Sequence, residues 1–243
     1  GTTYYVCDTY AKATSADSIA AQIVDINSAA EAIPSSTTDT AFGTKEGVLR
    51  EKIEILRGLK ENGVAILNGD DPLLWGMKDK ISHRVVWFGT ENEECDIFAN
   101  IIENSAYEAR FTIRGADTEF MITCGGMHNI RDALAAIATG REFGMADEDI
   151  AKGLSQFKNT GMRQDVFKHN GVTIIRDCYN ANPDSMRASL SLLAEMKSAG
   201  RKICVLGDMR ELGENAKSLH ENIGEIAATC ADKILVTGDF ADC

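Results

Sequence analysis

The chain has 243 residues, 44% of them hydrophobic and 26% charged, the balance of a soluble globular protein with room for one or two domains. A net charge of −12 argues against a nucleic-acid binder, which carries a basic face. It leaves room for a nucleotide, which a few backbone amides and one or two cations can hold.

No apolar run approaches the roughly 20 residues needed to span a membrane, and no basic-then-apolar leader opens the chain, so the expected compartment is the cytoplasm. The seven cysteines are scattered, with no Cys-x-x-Cys pair and no zinc spacing, and read as reduced thiols.

Residues 1–40 are the hardest to read. The stretch 15–33 has helical spacing of its apolar residues, and 34–40, "PSSTTDT", reads as a loop. Val48, Leu49, Ile53, Leu56 and Leu59 recur at intervals near three and four, which predicts an amphipathic helix over 45–60. An Asn-Gly turn leads into the strand "VAILN", which ends at "GDDP", and "RVVWFG" is a second strand. Residues 95–124 alternate and carry few helix signals, predicting two or three antiparallel strands. "GGMHNIRDALAAIATGREFG" is a glycine-rich turn opening a helix, and "ADEDIAKGLSQF" is a second helix starting near Ala146 or Asp147.

After a break at "KNTGMRQ" the pattern changes. "DVFKHNGVTIIRD", "KICVLGD" and "KILVTGD" read as strands, separated by the helices "MRASLSLLAEMKSA" and "SLHENIGEIAATC". Such alternation predicts β-α-β units on a parallel sheet and a domain boundary near residue 161.

In open α/β sheets ligands bind beyond the C-terminal ends of the strands. Three such ends here are polar: "DCYNANPDS", "GDMRELGE" and "TGDF". Asp177 and Asp208 directly follow their strands, where a carboxylate can accept from sugar hydroxyls or hold a metal. Helix capping competes with that reading, with Asn182 or Asp184 as the cap and Pro183 in the first turn. His128 and Asn129 stand at the entry of the helix after the Gly-Gly pair, where a cap and a ligand contact are again both open. "FGTKEG" lacks the spacing of a P-loop.

In this order the segments "FGTKEGVLREKIEILRGLKENGVAILNGDDP", "GGMHNIRDALAAIA", "GMRQDVF", "DCYNANPDSMRASL" and "LGDMRELGENA" resemble the Mur ligases of bacterial cell-wall synthesis, from about residue 41 to the end. "YNANP" followed by "GDMRELG" is similar to the branch that adds D-alanyl-D-alanine, and counts against the folylpolyglutamate and cyanophycin branches.

The resemblance implies an α/β chain. Residues 41–160 would be a partial central ATP-binding domain and 161–243 a partial Rossmann-like C-terminal domain, with 1–40 unassigned. It implies an ATP- and Mg²⁺-dependent amide ligase joining a UDP-muramoyl-tripeptide to D-Ala-D-Ala through an acyl phosphate. A Mur-ligase-like module that binds a nucleotide or a protein without catalysis is the alternative.

By motif, Lys52 matches the family's carbamylated lysine, whose anionic oxygens hold Mg²⁺. Asn129, with His128 beside it, matches the adenine contact. Arg163 matches the nucleotide-contacting arginine at the domain junction, and Asp177 the ribose ligand. Tyr179, Asn180 and Asn182 line the same loop and would face the nucleotide or the acceptor.

The sequence also departs from the family. Residues 1–40 match neither the UDP-sugar domain nor a P-loop, no histidine precedes the "FG" motif, the C-terminal domain stops about halfway, and Cys178 replaces a small hydroxyl residue. Without a P-loop to grip the phosphates, the expectation is little ligase activity from the 243 residues alone.

Overall fold

The computed structural model describes residues 4–7, 45–158, 162–198, 200–210 and 212–242, and divides into two units. The expected helix over 15–33 and loop over 34–40 lie outside the described residues. The first unit comprises residues 1–103, 109–122 and 127–157; the second comprises 104–108, 123–126 and 158–243. The fold is α/β with a mixed sheet in the first unit.

That sheet has six strands in chain order: β1 (Tyr4–Cys7), β2 (Val64–Asn68), β3 (Arg84–Gly89), β4 (Ile97–Asn104), β5 (Ala109–Ile113) and β6 (Glu119–Ile122). β1, β2 and β3 run parallel, with Ile66 opposite Val6 and Val86. β2 is a continuous apolar run because both of its faces are covered.

On one face Ala65, Leu67 and Trp87 pack with Leu56, Leu59 and Cys95, and the Trp75 ring meets Trp87 edge-on at 5.0 Å. The opposite face lies under α3 (Met127–Glu142), which packs on β1, β2 and β3. Ile130, Leu134 and Ile137 of α3 are fully buried.

The predicted helix over 45–60 is shorter than its apolar spacing implied. Helix α1 is Lys45–Glu54, and Ile55–Gly58 tightens into a 3₁₀ turn. The tighter turn still buries Leu56 and Leu59. A short helix α2 (Pro72–Trp75) follows β2, capped by the Asp71 side chain.

Of the two or three antiparallel strands expected over 95–124, three strands are present. β5 and β6 are antiparallel, but β4 starts parallel to β3, pairing Phe88 with Ile97, which makes the sheet mixed. Helix α4 (Asp147–Ser155) is not capped by its N-cap residue Ala146. Instead Asp147 takes two hydrogen bonds from Arg141, at 2.8 and 2.6 Å. That bonding holds the Asp147 carboxyl below its usual range.

In the second unit one sequence expectation is overturned. "DVFKHNGVTIIRD" is not one strand of a parallel sheet but a hairpin, β7 (Asp165–His169) antiparallel to β8 (Val172–Arg176). Asn170 and Gly171 turn it at φ 48° and 79°. Asn-Gly flanked by alternating residues is the strongest short hairpin signal, because both turn residues need positive φ. Asp165 and Arg176 close the open end at 2.5 Å.

The remaining β-α-β reading stands. β9 (Ile203–Leu206) and β10 (Lys233–Val236) are parallel, and α5 (Pro183–Glu195) packs against α6 (Ala216–Cys230). Leu190, Cys204, Met209, Ile223 and Ala227 form their common core.

Candidate functional site

In the second unit β8 ends at Arg176, and Asp177 follows as an exposed carboxylate. It accepts from the Gln164 amide at 3.2 Å and from the Ser189 hydroxyl. The Met162 carbonyl accepts from the amides of Cys178 (2.8 Å) and Tyr179 (3.2 Å). Three hydrogen bonds therefore bind the segment 162–164 to the segment 177–179.

Between those anchors lies Arg163, its guanidinium carbon 4.4 Å from the centre of the Tyr179 ring. Met162 (φ 56°) and Gln164 (φ 41°) flank it in the left-handed region, which non-glycine residues adopt at a cost. The structure thus gathers Arg163, Asp177 and Tyr179 into one assembly.

Asn180 and Asn182 separate from that group. The Asn180 side chain accepts from the Ala181 amide at 3.0 Å, and the residue is exposed. Asn182 caps α5: its side chain accepts from the Ser185 amide at 2.8 Å, while the Ser185 hydroxyl receives the Asn182 amide at 3.1 Å. Pro183 opens the helix. The capping reading therefore holds for Asn182. Asn182→Ala is expected to lower stability by about 1 kcal/mol in chemical denaturation. Asn180→Ala, an exposed loop change, is expected to stay within about 0.5 kcal/mol of the parent chain.

Asp208, the other strand-end carboxylate, is committed to the fold. It accepts from the amides of Asp239 (2.8 Å) and Phe240 (3.2 Å), which hold its carboxyl below the usual range. Gly238 (φ 119°) lies so close that a Cβ there would stand 2.3 Å from the carboxylate. The Phe240 ring stacks on His220 at 4.3 Å. His220 in turn accepts the Met209 amide at Nε2 and meets the Ala216 carbonyl at Nδ1, which sets the neutral Nδ1–H tautomer. The strand ends "GDMRELGE" and "TGDF" thus hold each other.

In the first unit Lys52 is an exposed residue of α1, and His128 and Asn129 are half-buried in the first turn of α3. The Gly-Gly pair ahead of α3 has a structural use. A Cβ on Gly125 would stand 1.3 Å from the Ser105 carbonyl oxygen, and the Gly126 amide donates to Asn104 Oδ1 at 2.8 Å.

The sequence reading did not single out Asp70. Its buried carboxylate accepts from the amides of Thr90, Glu91 and Asn92, from the Thr90 hydroxyl and from Arg131 Nε at 3.1 Å. Burial raises its carboxyl, but these bonds outweigh burial and lower it to about 2. The available signal was the acidic "GDDP" closing a buried strand. Among the described residues no three His, Cys, Asp or Glu side chains converge on a metal-sized site. Cys95, Cys124, Cys178, Cys204 and Cys230 are free thiols. No helix among the described residues is long and apolar enough to cross a membrane.

Residues 36–140 match the family model of the Mur ligase middle domain, and 162–242 that of the Mur ligase, glutamate ligase domain. The UDP-N-acetylmuramoyl-tripeptide–D-alanyl-D-alanine ligase of Bacillus subtilis is 42% identical over 194 residues, which are 79% of this chain and 41% of that protein. Its Escherichia coli counterpart is 34% identical over 202 residues, 81% of this chain and 44% of that protein. Among solved structures, MurF from Acinetobacter baumannii superposes with a TM-score of 0.72 at 33% identity, over 83% of this chain and 44% of that one. MurF ligase from Thermotoga maritima in complex with ADP gives 0.70 at 27%, over 83% and 46%. The chain thus spans less than half the length of these relatives.

Proposed function

The chain belongs to the Mur ligase family, and on that premise we propose that its second unit holds a nucleotide through Arg163 and Asp177, as part of an ATP-dependent ligase adding D-alanyl-D-alanine to a UDP-muramoyl-tripeptide. The observation that carries this reading is the Arg163–Asp177–Tyr179 assembly at the end of β8. A carboxylate offers about four lone-pair sites, so Asp177 can accept from ribose hydroxyls beyond its bonds to Gln164 and Ser189. Arg163 supplies positive charge for phosphate oxygens in planar, directional form.

By the family motif His128 and Asn129, half-buried in the first turn of α3, are the candidate adenine contacts. Lys52, once carbamylated, would turn a cation into an anionic oxygen ligand for Mg²⁺. The other ligands such an ion needs do not converge among the described residues, so no step is assigned to it.

Bound ATP supplies a phosphoryl group. The peptide carboxylate attacks the γ-phosphorus, ADP leaves, and the acyl phosphate is opened by the D-Ala-D-Ala amine with release of phosphate. The protein's part is to position these groups and neutralise charge.

Calorimetric titration of the chain with ADP and with ATP–Mg²⁺ tests the reading. Binding is expected, weakened by about tenfold or more in Arg163→Ala and in Asp177→Ala, since each removes a charged hydrogen-bonding group. Absence of binding in the parent chain, or parent-like affinity in both variants, would reject it.

A further inference from the structure

Tyr179 is exposed and sits in a loop read from the sequence as lining a ligand site. Its ring is already engaged, because the guanidinium of Arg163 lies against it at 4.4 Å. Its amide is engaged too, donating to Met162 O at 3.2 Å. Arg163 itself is presented by a backbone with left-handed residues on both sides, Met162 and Gln164.

Non-glycine residues hold that conformation only where the surroundings over-determine it. The surroundings are identifiable here: the amides of Cys178 and Tyr179 on the Met162 carbonyl, and the Gln164 amide on Asp177. These bonds fix the arginine's backbone but not its long side chain, which has several rotatable bonds. The aromatic face lies against that side chain and favours one direction for it.

We propose that Tyr179 is a positioning residue of this site. Its ring orients Arg163 toward an anionic phosphate group, and its hydroxyl makes no contact with the ligand. The proposal rests on the nucleotide reading above for the identity of the anion, and on the structure alone for the stacking. It sets Tyr179 apart from Arg163 and Asp177, the residues that would touch the nucleotide.

Two measurements test it. The first needs no ligand. In proton–nitrogen NMR spectra of the free chain, the Arg163 Nε–H signal is expected to carry a ring-current shift. Tyr179→Phe should keep that shift and Tyr179→Leu should lose it. An unshifted signal in the parent chain, or one unmoved in Tyr179→Leu, overturns the proposal even where nucleotide binding is confirmed.

The second measurement is an ADP titration of a double-mutant cycle. Tyr179→Phe should bind like the parent chain. Tyr179→Leu should bind about twofold to fivefold more weakly, the range of an exposed cation–π contact. In an Arg163→Ala background, Tyr179→Leu should change nothing further. Weak binding by Tyr179→Phe, or additive losses, would make the tyrosine a ligand contact in its own right and overturn the positioning role. A parent chain that binds no ADP rejects the nucleotide reading and leaves the NMR test to decide the stacking.

Discussion

Asp70→Ala is expected to destabilise the first unit by about 3 kcal/mol, read as a lower urea midpoint with an unchanged slope. The carboxylate is buried, with its side chain 4% exposed, and bonds the turn at Thr90, Glu91 and Asn92 as well as Arg131 of α3. Removing it leaves three amides and a half-buried guanidinium without that acceptor, and partners orphaned away from water carry most of the cost.

The same group makes a pH prediction. Its folded pKa of about 2 lies below the ordinary 3.8. A depressed carboxyl contributes stability that is fully present above the ordinary value and is lost as pH falls through the folded one. The parent chain should therefore lose about 2 kcal/mol from this residue between about pH 4 and pH 2. Asp70→Asn keeps the shape without the charge, and should lack that component of the acid transition. An Asp70→Ala midpoint equal to the parent's would remove Asp70 from any role in stability.

Gly125→Ala is the second large effect. The added Cβ would stand 1.3 Å from the Ser105 carbonyl oxygen and 2.5 Å from its carbon. Both are backbone atoms, so no side-chain rotation relieves the clash, and the segment must move by more than an ångström. A loss of about 3 kcal/mol or more is expected, in the range of severe overpacking. Thermal denaturation of Gly125→Ala beside Gly153→Ala gives the contrast, because a Cβ on Gly153 meets nothing within 4 Å. Gly153→Ala, inside α4, should be neutral or slightly stabilising. Equal midpoints for the two variants would mean that Gly125 has room it is not shown to have.

Several features of the fold were legible because they depend on local pattern. The apolar runs of β2 and β3 announced strands. The alternation over 95–124 announced two or three strands, and the Asn182-Pro183-Asp184 stretch announced a helix start without deciding which residue caps it. The hairpin β7–β8 was equally legible in its Asn170-Gly171 turn, but the long alternating run was read as one strand. At the candidate site the motif residues were legible by type, and their roles were not. Asp177 and Asp208 look alike in the sequence, each an aspartate directly after a strand. Asp208 is taken up by the amides of Asp239 and Phe240, whereas Asp177 stands exposed beside Arg163 and Tyr179.

The sequence by itself determined most of the strand and helix segments and the family, because hydrophobic period, turn residues and short motifs are properties of neighbouring residues. Only the tertiary structure decided which polar groups are committed to holding the fold. Asp70 meets Arg131 across 61 positions, Asp208 meets Phe240 across 32, and Gly125 needs its bareness because of Ser105 twenty residues earlier. A carboxylate's chemistry is set by the donors that surround it, and donors brought from distant parts of the chain leave no mark on the residues beside it.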